Sequence, residues 1–269
     1  MKLRVLSLGA GGQSTTIALM MAHGEIEPPD VAIFADTQAE PAAVYRHLES
    51  LKAQLPFPVE IVTAGSLADD IMDAANGDGR NQGRPPFHVR NADGTTGILR
   101  RQCTGDYKIE VIQRRVRELL GVKPRARVPI DAHVTQVIGI SLDEAGRMKV
   151  SQDRWCTHEY PLVDRRLNRW DCITWLQRNN YPIPTKSACV FCPYRRLEEW
   201  RRLRDEAPED FAKAVEIDRA IRSPGYVRKV GRCFVHGSMV PLDQVDLSTD
   251  QERGQPNLWD DECDGMCGV

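Results

Sequence analysis

The chain alternates short apolar runs with segments of helical spacing. Residues 2–8 (KLRVLSL), 31–36 (VAIFAD) and 59–64 (VEIVTA) read as buried strands. Between and after them, 14–23 (STTIALMMAH), 41–55 (PAAVYRHLESLKAQL) and 66–75 (SLADDIMDAA) read as helices. Ser14 stands near the first start, Pro41 at an allowed first-turn position and Ser66 at a cap. Strand and helix in turn predict a parallel, doubly wound α/β sheet. Residues 76–100 break the rhythm with Gly, Asn, Asp and Pro, and a loop of that length in a compact domain is usually functional or disordered. Residues 106–121 resume as an amphipathic helix closed by Gly121. A strand is expected at 134–140 (VTQVIGI), a short one within 157–163, a helix at 169–180 and a helix pair over 195–223 broken near Pro208. From 224 onward the pattern weakens. We expect one nucleotide-binding domain over 1–223, with 76–101 an insertion loop or lid, a helical C-terminal region and a tail over 224–269.

Composition narrows the function classes. The 269 residues are 41% hydrophobic and 28% charged, with a net charge of -2. That is ordinary for a globular protein and excludes a uniformly basic nucleic-acid binder, though not a local basic groove. No apolar run reaches the roughly 18 residues of a membrane span. No cleavable signal pattern precedes the first strand, so the reading is cytoplasmic. The eight cysteines are then expected as thiols serving as metal ligands, nucleophiles or core residues rather than as disulfides.

Four places carry candidate chemistry. Ser7-Leu8-Gly9-Ala10-Gly11-Gly12-Gln13-Ser14 joins the first strand to the first helix. Its glycines let backbone N–H groups approach an anion, the helix end adds positive potential, and Ser14 and Thr15 add hydroxyls. It is neither a Walker loop nor G-x-G-x-x-G; the strand–helix context favours a phosphate or sulfate site, with a plain tight turn as the alternative. Asp36 ends the second strand at the edge where open α/β sheets bind ligands. Cys189-Val190-Phe191-Cys192 is a CxxC that suits a metal, a cluster or a redox dithiol. Arg80, Arg84, Arg90, Arg100 and Arg101 crowd the irregular stretch, as a lid over phosphates or a groove for a nucleic-acid backbone. Cys156, Cys172 and Cys233 read as small buried hydrophobes.

Taken together, SLGAGGQST (7–15), FADTQAEP (34–41), QCTGDYK (102–108), IGISLDEAGR (138–147), PLVD (161–164) and ACVFCPYR (188–195) resemble the PP-loop adenine-nucleotide superfamily, and within it the phosphoadenylyl-sulfate (PAPS) reductase-like family. Gln13 before the loop's final Ser is more like the reductase branch. The resemblance implies an adenine nucleotide alpha hydrolase-like fold with PAPS, APS or ATP over the sheet edge, and Mg2+ if ATP is the substrate. Ser7, Gly9, Gly11, Gly12, Gln13 and Ser14 would hold its charged group. Asp36 and Thr37 would touch the nucleoside, Gly139 and Ser141 line the floor, and Arg147 clamp a phosphate or sulfate. Lys108 would serve as a second phosphate contact.

The resemblance also implies that Cys103 lies near Cys189 and Cys192, as in relatives that carry a 4Fe-4S cluster; zinc is the alternative. Those relatives have two adjacent cysteines where this chain has Gln102-Cys103. Cys172, Cys263 or Cys267 would be a fourth ligand, or the cluster would keep an open iron. Glu262-Cys263 resembles the tail of PAPS reductases, whose cysteine attacks activated sulfate before a thioredoxin-like partner releases sulfite. A second expectation is an ATP-dependent, cluster-assisted sulfur transferase acting on nucleic acid; a third is a non-catalytic nucleotide sensor with a structural metal.

Overall fold

A computed structural model describes residues 1–77, 84–249 and 252. Five parallel strands form the main sheet: β1 (Lys2–Leu8), β2 (Val31–Asp36), β3 (Val59–Thr63), β6 (His133–Ile138) and β7 (Cys156–Glu159), in the order β3-β2-β1-β6-β7. The alternation of β1 and β2 explains why both faces are covered. Leu6, Leu8, Ala32 and Phe34 point into a core shared with α1 (Gly12–Ala22), α2 (Ala42–Lys52) and α6 (Arg169–Arg178). Leu3, Val5, Val31, Ile33 and Ala35 point the other way, onto Ile112 and Val116 of α4 (Glu110–Leu119). A strand buried on both faces reads as a continuous apolar run, as VAIFAD does. The fold is the doubly wound one that the alternation of elements predicts.

Strand order reverses between β1 and β6. In open parallel sheets that reversal opens a crevice at the carboxyl ends of the strands, where ligands bind. The loops leaving β1, β2 and β6 all face it.

The irregular stretch holds more structure than its composition suggests. β4 (His88–Arg90) and β5 (Thr96–Ile98) form a hairpin, and β8 (Arg232–Phe234) pairs antiparallel with β4 to complete a small sheet. Behind it, α3 (Leu67–Asn76), α7 (Leu197–Glu206), α8 (Pro208–Ala220) and α9 (Pro224–Val230) supply a second core that also contains Phe87, Val190, Phe191 and Cys233. Gly225 has no alternative there: a Cβ would lie 2.4 Å from the Ala75 carbonyl oxygen. Residues 224–249, where the sequence pattern weakens, bury Tyr226, Cys233, Val235, Leu242 and Leu247 in this core. No helix among the described residues is long and apolar enough to cross a membrane.

Candidate functional site

The loop from β1 into α1 is built almost wholly from backbone. Ser14 Oγ accepts the Gly9 N–H at 3.1 Å and donates to the Gly11 carbonyl at 3.3 Å, so the serine knots the turn on itself. Ala10 is fully buried in the left-handed region at φ 54, a conformation costing an L residue about 1 kcal/mol. α1 begins at Gly11 with no side-chain cap and no acid in its first turn. Its leading N–H groups and dipole therefore meet the crevice uncompensated, the arrangement that attracts anions. Gly139, just past β6, lets this helix end approach: a Cβ there would lie 3.0 Å from the Ser14 nitrogen and 3.1 Å from its Cα.

Around the loop, Gln13 Nε2 donates to Glu144 Oε2 at 3.0 Å and reaches Ser141 Oγ at 3.4 Å. Arg147 donates to the other Glu144 oxygen at 2.7 Å and stays mostly exposed at the rim. Ser7 Oγ accepts from Gln136 at 2.8 Å across the β1–β6 seam. Asp36 Oδ1 takes the Gln38 N–H and the Tyr45 hydroxyl, both at 2.8 Å. Gln38, like Ala10, adopts positive φ (56). Each of the two βα turns at the crevice thus holds one non-glycine residue in an unfavourable conformation, as binding sites often do.

The second half of the site is a pocket of about 80 Å³ lined by Thr37, Cys103, Lys108, Ser187, Cys189 and Cys192, among others. Cys103 comes from the start of the helical turn that leads into α4, and Cys189 and Cys192 from a loop before α7. The same loop packs against the glycine turn, because Ser187 Cβ lies 3.5 Å from where a Gly11 Cβ would stand. Ser187 Oγ also reaches Glu40 Oε2 at 3.4 Å. Glu40 was not singled out from the sequence, although it sits within FADTQAEP. Its side chain is fully buried and its other oxygen takes the Lys108 ammonium at 3.0 Å. Lys108 is thus anchored beside the thiols, and its ammonium is stabilised despite burial by Glu40 and by Cys189 and Cys103.

Burial pushes the Cys189 thiol up to about 12, aided by the Glu40 charge and opposed by Lys108 and the Thr37 hydroxyl, which lies 3.4 Å from the sulfur. Burial also raises Cys103, against the pull of Arg101. Arg195 donates to the Ala188 and Cys189 carbonyls at 2.8 and 3.2 Å, and burial lowers its own affinity for the proton. Three cations therefore surround the thiols, and the sequence pattern pointed to only one of them at this place. A second, wider cleft of about 440 Å³ is lined by Arg195, Lys186, Arg46 and Arg202.

Cys172 lies elsewhere, in the core between α1 and α6, where burial raises it to about 11. Cys233 is buried in the second core and Cys156 is half-buried on β7. Cys263, Cys267 and Arg80 lie outside the described residues. Among the described residues, no three His, Cys, Asp or Glu side chains are gathered as a ready metal set.

No family model and no curated protein matches the chain. Among solved structures, 22 chains match. A PAPS reductase from Candida auris, in a phosphate complex, is 15% identical with a TM-score of 0.45, the match covering 69% of this chain and 80% of that one. The U34-tRNA thiolase NcsA from Methanococcus maripaludis, with its 4Fe-4S cluster, is 14% identical with a TM-score of 0.39, covering 91% of this chain and 83% of that one. The five-stranded parallel sheet with helices on both faces is the α/β architecture expected from the sequence. These scores and identities carry nothing about activity, which rests on the residues themselves.

Proposed function

We propose that the chain is an enzyme that binds an adenine nucleotide on the β1–α1 loop and carries out sulfur or activated-nucleotide chemistry at an adjoining 4Fe-4S cluster held by Cys103, Cys189 and Cys192. The observation that carries the reading is the convergence of three thiols from two distant segments on one pocket, next to an uncapped helix end. Thiolates are the donor type a 4Fe-4S cluster would take. Thiolates bound to separate irons spread around a pocket, whereas thiolates on one zinc all sit about 2.3 Å from a single point. A cluster so held would supply electrons or an open iron for sulfur.

The chain's own groups have separable roles. The backbone donors at Gly12 and Gln13 meet the charged end of the nucleotide, and Arg147 approaches it from the rim. Glu40 fixes Lys108, whose positive charge offsets thiolate charge in a buried place where such charge is costly. Arg101 and Arg195 add to that offset. Whether the outcome is oxidoreduction or group transfer is decided by a comparison of variants. A reductase using Cys263 as nucleophile loses sulfite production in Cys263→Ser with its iron kept, while a cluster-dependent transferase keeps single-turnover activity unless Cys263 is the fourth ligand, in which case bound iron falls as well.

Anaerobic purification with iron and sulfide analysis tests the cluster, and calorimetry with ATP, AMP, APS and PAPS tests the loop. Brown protein with iron and acid-labile sulfide, and saturable binding of at least one adenylate, are expected. Colourless protein with one equivalent of zinc contradicts the cluster.

A further inference from the structure

The small sheet carries an arrangement that neither the nucleotide loop nor the thiol pocket uses. Arg90 on β4 and Arg232 on β8 are directly opposite each other in the pairing register. Like charges so placed repel, and the pairing is disfavoured unless something offsets it. Both side chains are exposed, and neither has a carboxylate partner among the described residues. They lie with Arg222 around one buried ring: the three guanidinium carbons stand 5.7, 5.6 and 5.6 Å from the Phe234 centroid. The nearby Asp218 is fully buried and committed to Arg222 and to the backbone of Val235 and Leu242. Asp93, at the hairpin tip, is turned onto Thr95. The guanidiniums thus have a rigid aromatic base and an uncompensated outer side.

This face is continuous with the thiol pocket. His88, two residues before Arg90 on the same face of β4, lies near the backbone of Pro193, immediately after Cys192. Pro193, Tyr194 and Arg101 all line the pocket. The Arg101 guanidinium carbon lies 5.6 Å from the Tyr194 ring centroid, and Tyr194 is 48% exposed. Row and mouth are therefore different in kind: guanidiniums spaced along a strand pair suit successive phosphates, and an exposed ring beside a guanidinium plane suits one planar base.

We propose that the exposed face of the β4–β5–β8 sheet docks a single-stranded nucleic acid, with phosphates on Arg90 and Arg232 and an unpaired base on Tyr194 at the mouth of the cysteine pocket. The chemistry that such a base would meet rests on the function proposed above; the docking itself does not. An acidic protein would also be drawn to the arginines but has no use for the Tyr194–Arg101 pair.

The test is fluorescence anisotropy with a labelled single-stranded RNA of about 12 nucleotides, at roughly 50 and 200 mM salt. Wild type is compared with Arg90→Gln/Arg232→Gln and with Tyr194→Ala, and with polyglutamate as competitor. The double variant is expected to bind about tenfold more weakly. Its slope of log affinity against log salt should be shallower by about 1.4, near 0.7 for each lost phosphate contact. Tyr194→Ala should weaken binding with no change in slope. Unchanged affinity in the double variant, or displacement by polyglutamate as effective as by unlabelled RNA, overturns the proposal. The same preparations are assayed for iron and for adenylate binding. Loss of those signals with RNA binding intact sinks the function proposed above and leaves the docking face standing.

Discussion

The two halves of the site are made by opposite means. The glycine loop is backbone: three residues between β1 and α1, one serine at the start of the helix knotting them, and no ion pair in the turn itself. The thiol pocket is side chains: three cysteines, a buried carboxylate and three cations from segments spread over more than half the chain. A backbone cradle depends on close approach and helix polarity, so it tolerates changes of side chain and fails when a Cβ intrudes. A pocket of buried charges depends on pairing, so it fails when one partner is removed. Ser187 touches both halves, which makes them one site rather than two.

That contrast breaks most readily at the thiols. Cys189→Ser is expected to abolish bound iron and acid-labile sulfide while leaving adenylate binding by calorimetry within about twofold, since the loop keeps its donors. A variant that keeps its iron would remove Cys189 from the ligand set.

Next in size is the buried pair. Lys108→Met strands the Glu40 carboxylate, whose side chain has no solvent exposure. A cost of about 3–5 kcal/mol is expected, read as a fall in the urea midpoint. Glu40→Gln/Lys108→Met, which removes both charges, should recover most of it. No recovery in the double variant would show that the two groups are not coupled.

Gly139→Ala probes the backbone half. Its new Cβ meets Ser14 at 3.0–3.3 Å, so α1 must move back by a few tenths of an ångström. About 1–3 kcal/mol of stability should go, and adenylate affinity should fall while iron content is kept. The opposite pattern, iron lost and nucleotide binding intact, would mean that the crevice wall at Gly139 serves the thiols.

The smallest effect is a pH dependence on the side of the small sheet. Burial holds His88 and His236 below the ordinary histidine value, and His236 is lowered further by His88. The unfolded chain therefore takes up protons first as pH falls. The stabilisation is complete above the unfolded value of about 6.5 and is lost as pH falls below it toward the depressed folded values. Urea midpoints at pH 7.5 and 5.5 should differ in that direction, and His236→Gln should shrink the difference. A slope of opposite sign would mean that the rings gain, not lose, by being charged in the fold.

The same contrast decides what was legible in the sequence. β1, α1, β2, α2, β3 and α3 follow from local periodicity and caps, and Ser66 does accept the Asp69 N–H at the predicted start of α3. The glycine loop is a contiguous string, so its place at the sheet edge follows once the strands do. The small sheet was hidden because each strand has three residues and β8 meets β4 across most of the chain. One signal was present: Asn91-Ala92-Asp93-Gly94 is a turn, with Gly94 at φ 84 and the Asn91 N–H on the Thr95 carbonyl. Glu40 was hidden for a different reason. An acid beside a proline looks like a cap, and only the fold shows that it is buried against Lys108. That Cys103 joins the CxxC came from resemblance, because no local pattern in QCTGDYK says which segment it will face.

The most direct test of a single joined site is electron paramagnetic resonance of the anaerobically purified, reduced protein with and without saturating adenylate. A cluster signal whose line shape shifts when the nucleotide binds is expected, with the shift lost in Gly139→Ala. A protein without iron, or a signal identical in the presence and absence of a nucleotide shown by calorimetry to be bound, would contradict it.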